Sequence, residues 1–171
     1  MTSVGDRAPD FTLPTSGGKQ VSLSELTARG TVVLFFYPKD DTPGCTAEAC
    51  SFRDRYDAFA AAGAEVVGVS SDSLDSHERF AGKHRLPMTL LSDVDGQVRK
   101  VYGVKSTLGL LPGRATFVID RRGFVRHLFV SQLRAEKHVH EALRVVEQLA
   151  RESQPVVAAG GQDGGAGAGA A

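Results

Sequence analysis

The chain has 171 residues, twenty Lys and Arg against twenty Asp and Glu, and a pI near 7.0. That neutrality argues against a nucleic-acid or anionic-membrane binder working through bulk charge, and no apolar run approaches the ~18 residues that span a bilayer. The first residues carry no apolar leader stretch, and two cysteines cannot build the disulfide framework of a small secreted scaffold. The expectation is a cytoplasmic globular protein with one sizeable core.

Phe11 and Leu13, then Val21 and Leu23, flank Gly17-Gly18, which reads as an N-terminal hairpin. Residues 31–37 (TVVLFFY) form a β-branched and aromatic run stopped by Pro38, the pattern of a strand buried on both faces. Over 43–62 the spacing turns helical, with Ala49, Phe52, Tyr56 and Phe59 on one side and Gly63 as a C-terminal cap. A second buried strand covers 65–70, a charged helix 74–84, a short strand 89–92 and a weaker helical turn 96–102. Residues 115–119 and 124–130 pair across Arg121-Arg122-Gly123. An amphipathic helix over 136–151 turns Val139, Leu143, Val146 and Ala150 inward. Residues 155–171 hold six Gly and six Ala and almost no large side chains. Such a segment cannot offset its ordering entropy, so the reading is a folded domain over 1–154 and a disordered tail over 155–171.

A β-α-β order requires a parallel pair with a right-handed crossover, and the later hairpin adds an antiparallel edge. The fold class is α/β, a mixed central sheet with helices on both faces and an N-terminal hairpin, resembling the thioredoxin-like folds. Ligand sites in such sheets lie beyond the carboxyl ends of the strands. Residues 38–50 occupy that place.

That stretch runs Pro38-Lys39-Asp40-Asp41-Thr42-Pro43-Gly44-Cys45-Thr46-Ala47-Glu48-Ala49-Cys50. Thr42 suits an N-cap and Pro43 the first helical position, where no N–H is needed. Cys45 then falls in the first turn, facing unpaired backbone N–H groups at the positive end of the helix dipole. Such positions can lower a thiol pKa, and thiolate is the reactive form, which makes Cys45 the candidate nucleophile. Cys50 follows five residues on. In a helix that spacing puts the Cα atoms roughly 8–9 Å apart on different faces, beyond the ~7 Å a disulfide tolerates. A bond between the two cysteines therefore requires the first turns of this helix to unwind. A zinc site would need four N or S ligands at recognisable spacing. His77, His84, His127, His138 and His140 are scattered and there is no second cysteine pair, so no metal is expected.

Pro38-x-x-x-Thr42-x-x-Cys45 resembles the active-site signature of the peroxiredoxins, and Cys45-Thr46-x-Glu48-x-Cys50 resembles the subgroup called bacterioferritin comigratory protein or peroxiredoxin Q. The opening Gly5-Asp6-x-Ala8-Pro9-Asp10-Phe11-x-Leu13 and the strand Arg114-Ala115-Thr116-Phe117-Val118-Ile119-Asp120 are similar to that family too, so the likeness covers about residues 4–150. The resemblance implies a thiol peroxidase for hydrogen peroxide and organic hydroperoxides, with no cofactor, metal or haem. In it Cys45 is the peroxidatic cysteine, which becomes a sulfenic acid. Thr42, Arg114 and the Cys45 N–H stabilise the leaving oxygen, and Arg114 also favours the thiolate. Pro38 shields the sulfur. Cys50 is the resolving cysteine, forming an intrachain disulfide that thioredoxin or a similar dithiol reduces. The subgroup's members are often monomers, sometimes dimers.

Several neighbours read more plainly. Glu48 is an ordinary acid near a helix start, and Lys39-Asp40-Asp41 a solvated loop. Leu108, Leu110 and Leu111 are core rather than a collar for alkyl peroxides, and His138 and His140 face solvent. Two other functions fit the cysteine pair: a thioredoxin-like disulfide oxidoreductase, which the five-residue spacing opposes, and a redox sensor or holdase whose helix unwinds on oxidation.

Overall fold

A computed structural model describes residues 1–106 and 109–155. Leu108 and, apart from Pro155, the expected tail over 155–171 lie outside the described residues. The chain runs through β1 (Thr12–Pro14), one 3-10 turn (Ser16–Gly18), β2 (Gln20–Ser22), α1 (Leu23–Arg29) and β3 (Thr31–Phe36). It continues through α2 (Pro43–Asp54), α3 (Tyr56–Ala61), β4 (Ala64–Ser70), α4 (Leu74–His84) and β5 (Thr89–Ser92). It ends with α5 (Gln97–Val101), β6 (Ala115–Ile119), β7 (Val125–Val130) and α6 (Ala135–Glu152). Five strands make one sheet in the order β5-β4-β3-β6-β7, and β1 and β2 pair separately. β3, β4 and β5 run parallel, while β6 is antiparallel to both β3 and β7. Among the described residues no helix is long and apolar enough to cross a membrane.

All six residues of β3 are buried, as an apolar run without alternation requires. Its side chains divide by pleat. Val33 and Phe35, with Tyr37 just beyond, pack against Phe52, Phe59, Phe80, Val139 and Val146 from α2, α3, α4 and α6. Val32, Leu34 and Phe36 face Phe11, Leu23, Leu26 and Tyr102 on the other side. Phe52 has no exposed surface and stacks on Phe35 with ring centroids 4.6 Å apart. Burying such a ring stabilises by about 1.5–3 kcal/mol, so this stack anchors the middle of α2 to the central strand.

Two elements depart from the sequence reading. Residues 23–29 are helical, not the end of a hairpin strand. Ser22 accepts from the Glu25 N–H at 3.2 Å, the Glu25 carboxylate accepts from the Ser22 N–H at 3.2 Å, and this capping box starts α1. The helix expected over 43–62 is two, broken at Arg55 (φ −111°, ψ 9°), a break across which Phe52 and Phe59 are both fully buried with rings 5.7 Å apart. Gly63 does take the left-handed conformation of a helix stop, with φ 75°.

Candidate active site

Beyond the carboxyl end of β3 the chain turns through residues 38–42 into α2. Pro38 and Thr42 are half-buried and Lys39 and Asp41 exposed, but Asp40 is buried, which corrects the solvated loop expected there. Asp40 accepts from Tyr37 Oη at 2.6 Å and Ser76 Oγ at 2.8 Å, and lies 2.8 Å from His77 Nδ1. These bonds hold its carboxyl below the usual range against the opposing effect of burial, His77 and Tyr37 contributing most. The loop is thereby tied to α4. Thr42 is extended (φ −84°, ψ 149°), as an N-cap position should be, but its hydroxyl donates to Lys39 O at 2.9 Å and makes no side-chain cap. Pro43 opens the helix, and the first intrahelical bond runs from Thr46 N–H to Thr42 O at 2.8 Å. The N–H groups of Gly44 and Cys45 therefore precede the helical ladder, and the Cys45 side chain beside them is only 2% exposed.

Arg114 reaches this sulfur from the far end of the sequence. β6 pairs with β3 so that Ala115 lies opposite Phe36, which sets the residue before β6 at the mouth of the loop. Arg114 Nη2 donates to Cys45 Sγ at 3.3 Å. A β-carbon on Gly44 would lie 3.1 Å from that nitrogen, so the missing side chain leaves room for the guanidinium. The other terminal nitrogen, Nη1, pairs with Glu48 Oε2. Glu48 and Arg114 are both buried, so Glu48 is no ordinary solvent-facing helical acid. Loss of hydration raises its carboxyl to about 7, with Arg114 pulling the other way.

Behind Glu48 stands His138, which is fully buried, not solvent-facing; His140 is exposed as expected. Helix α6 turns His138 inward together with Val139 and Ala142. Its Nε2 lies 2.8 Å from Ser131 O, and its Nδ1 lies 2.8 Å from Thr116 Oγ1 and 3.6 Å from Glu48 Oε1. Burial pulls the ring down to about 4.

Cys50 lies on the same unbroken helix as Cys45, half-buried, and both thiols are free. It lines an open pocket with Ser51, Asp54, Arg55, Glu136 and His140. Leu110 and Leu111 are 88% and 60% exposed, so these two leucines are not core. Arg99 was missed by sequence reasoning. It is buried, and its Nη2 donates to Tyr37 O at 2.7 Å while Nη1 donates to Gly113 O. It thus ties the end of β3 to the residue before Arg114. A lone arginine in a weak helical turn gives no sequence signal of such a role. Thus the structure brings Cys45 and Arg114 into contact, sets Pro38 and Thr42 on the adjoining loop, and leaves Cys50 further along α2. A sulfur with a guanidinium and free N–H groups around it can carry negative charge and stabilise charge developing on an oxygen beside it.

Comparison with known proteins gives a consistent picture. The AhpC/TSA family model matches residues 4–128. The chloroplastic peroxiredoxin Q of Triticum aestivum is 51% identical over 148 residues, covering 86% of this chain and 68% of that protein. Peroxidoxin BcpB of Mycobacterium tuberculosis superposes with a TM-score of 0.81 at 39% identity, covering 91% of this chain and all of that one. The bacterioferritin comigratory protein of Xanthomonas campestris, a protein with alkyl peroxide reduction activity, superposes at 0.75 with 31% identity over 88% of this chain and 98% of its own.

Proposed function

This chain belongs to the AhpC/TSA family and is a thiol peroxidase acting on peroxides, and on that premise we propose that Cys45 is the attacking sulfur and Cys50 the one that resolves it. The observation that carries this reading is the 3.3 Å contact between Arg114 Nη2 and Cys45 Sγ at the start of the helix that also bears Cys50. The thiolate attacks the distal peroxide oxygen, the O–O bond breaks, and the products are Cys45 sulfenic acid and an alkoxide or hydroxide that takes a proton from water. Arg114 and the Cys45 N–H meet the charge on the departing oxygen, joined by the Thr42 hydroxyl once its proton turns away from Lys39 O. Pro38, half-buried at the loop's start, narrows access to the sulfur. The Cys50 thiol then displaces water from the sulfenic acid to form the Cys45–Cys50 disulfide. Thioredoxin or a similar dithiol exchanges with that disulfide, becoming oxidised as both cysteines return to thiols.

We extend the substrate range to organic hydroperoxides, supported by the apolar surface that Leu110 and Leu111 expose just before Arg114 and by the alkyl peroxide activity of the Xanthomonas relative. The cytoplasm is the compartment we propose, since two cysteines do not make the disulfide framework of an exported scaffold. The test is steady-state peroxide consumption coupled to thioredoxin and its reductase. Wild-type protein should turn over, Cys45→Ser should not react, and Cys50→Ser should oxidise once and stall as the sulfenic acid. A Cys50→Ser protein unable to react even once would contradict the division of roles.

A further inference from the structure

We propose that His138 is a positioning residue for peroxide reduction, holding Glu48 so that Arg114 stays turned toward the Cys45 sulfur. The inference rests on Cys45 being the reacting sulfur. It starts from a histidine among the apolar side chains that α6 buries, Val139, Ala142, Val145, Val146 and Leu149. A buried ring of this kind is costly unless both nitrogens are satisfied, and here both are. Ser131 O accepts only, so the 2.8 Å contact places the proton on Nε2. Burial keeps the ring neutral, so Nδ1 is a lone pair, and the Thr116 hydroxyl donates to it at 2.8 Å. The ring cannot turn without breaking both bonds, and the Phe129 ring set edge-on at 4.7 Å supports it.

That fixed ring edge lies 3.6 Å from Glu48 Oε1, an oxygen with no hydrogen-bond partner among the described residues. With its Nδ1 lone pair taken by Thr116 and its proton on Nε2, the ring offers Oε1 no donor, so the carboxylate's charge is met at Oε2, the oxygen that Arg114 Nη1 grips. The groups facing the carboxyl are thus Arg114 ahead of β6 and His138 on α6, with Cys45 one turn earlier on its own helix reached through Arg114. A guanidinium is a rigid planar fork. Once Nη1 is fixed on Oε2, the direction of Nη2 is set, and it meets Sγ at 3.3 Å. His138 touches neither sulfur nor substrate; it acts through Glu48 and Arg114.

Stopped-flow measurement of sulfenic acid formation with hydrogen peroxide tests this on wild-type protein, His138→Leu, His138→Gln, Glu48→Gln and the double variant His138→Leu with Glu48→Gln. His138→Leu and Glu48→Gln should each slow the reaction by roughly tenfold, and the double variant should be no slower than the slower single, since both act on one path. His138→Gln, whose amide can donate to Ser131 O and accept from Thr116, should recover most of the rate. If His138→Leu does not fold, His138→Asn replaces it: the shorter amide should be slow where His138→Gln is fast. A folded His138→Leu protein of wild-type rate, slowing that multiplies in the double variant, or equal rates for His138→Asn and His138→Gln would each overturn the proposal. A wild-type protein inert to peroxide would instead overturn the reading of Cys45, and His138's role with it.

Discussion

Arg114 and Cys45 stand 69 positions apart in sequence and 3.3 Å apart in space, nitrogen to sulfur. The antiparallel pairing of β6 with β3 makes that contact, and the bare backbone of Gly44 gives it room. Arg114→Gln should slow the first oxidation of Cys45 by about 10²–10³-fold, the usual cost of losing a donor to developing oxyanion charge. Gly44→Ala should slow it to a lesser degree by pushing on Nη2. Both rates are read by stopped-flow under single-turnover conditions.

Glu48 and His138 should give opposite pH dependences to stability. Burial raises Glu48 from its ordinary 4.5 to about 7. Between those values the fold retains a proton that the unfolded chain has lost, so its stabilising contribution is whole below about pH 4.5 and is lost as pH climbs through 7. His138 falls from 6.5 to about 4, so the unfolded chain binds the extra proton and stability from this ring is present above 6.5 and lost as pH falls through 4. In the wild-type protein the slopes oppose. Urea unfolding should show Glu48→Gln gaining stability from pH 4 to 6.5 and His138→Gln losing it from pH 4.5 to 7, with the wild-type curve flatter than either.

Asp40 anchors the loop from β3 to α2. Asp40→Ala leaves the Tyr37 hydroxyl and His77 Nδ1 buried without their acceptor. It should destabilise by about 3 kcal/mol, the scale for breaking a buried pair, read as a lower urea midpoint at unchanged slope.

Disulfide formation should open α2. Hydrogen exchange on the peroxide-treated protein should show lost protection near residues 45–50, while β3 stays protected. Unchanged protection in the disulfide form would contradict the helix geometry.

Much of this site was legible in the chain. The uninterrupted apolar run of β3, the Pro-Gly-Cys helix start and the Arg114 strand each carry a local signature, and the structure sets Arg114 on Cys45. What local pattern could not carry was partnership. Asp40 reads as part of a solvated loop and Glu48 as an ordinary helix-start acid because the buried partners His77 and Arg114 lie 37 and 66 positions away. His138 sits two residues before the exposed His140, in a stretch whose charges pointed outward, and only α6 packing on the sheet turns it inward. For α1 the signal is local: Ser22-x-x-Glu25 is a capping box, but Val21-Ser22-Leu23 also alternates like a strand.

The most direct measurement is a peptide map after one equivalent of hydrogen peroxide. The expected result is one peptide lighter by two hydrogens, carrying a bond between Cys45 and Cys50, with no such bond in Cys45→Ser. A thiol at Cys45 still reduced after that equivalent, or oxidation confined to Cys50, would contradict the account.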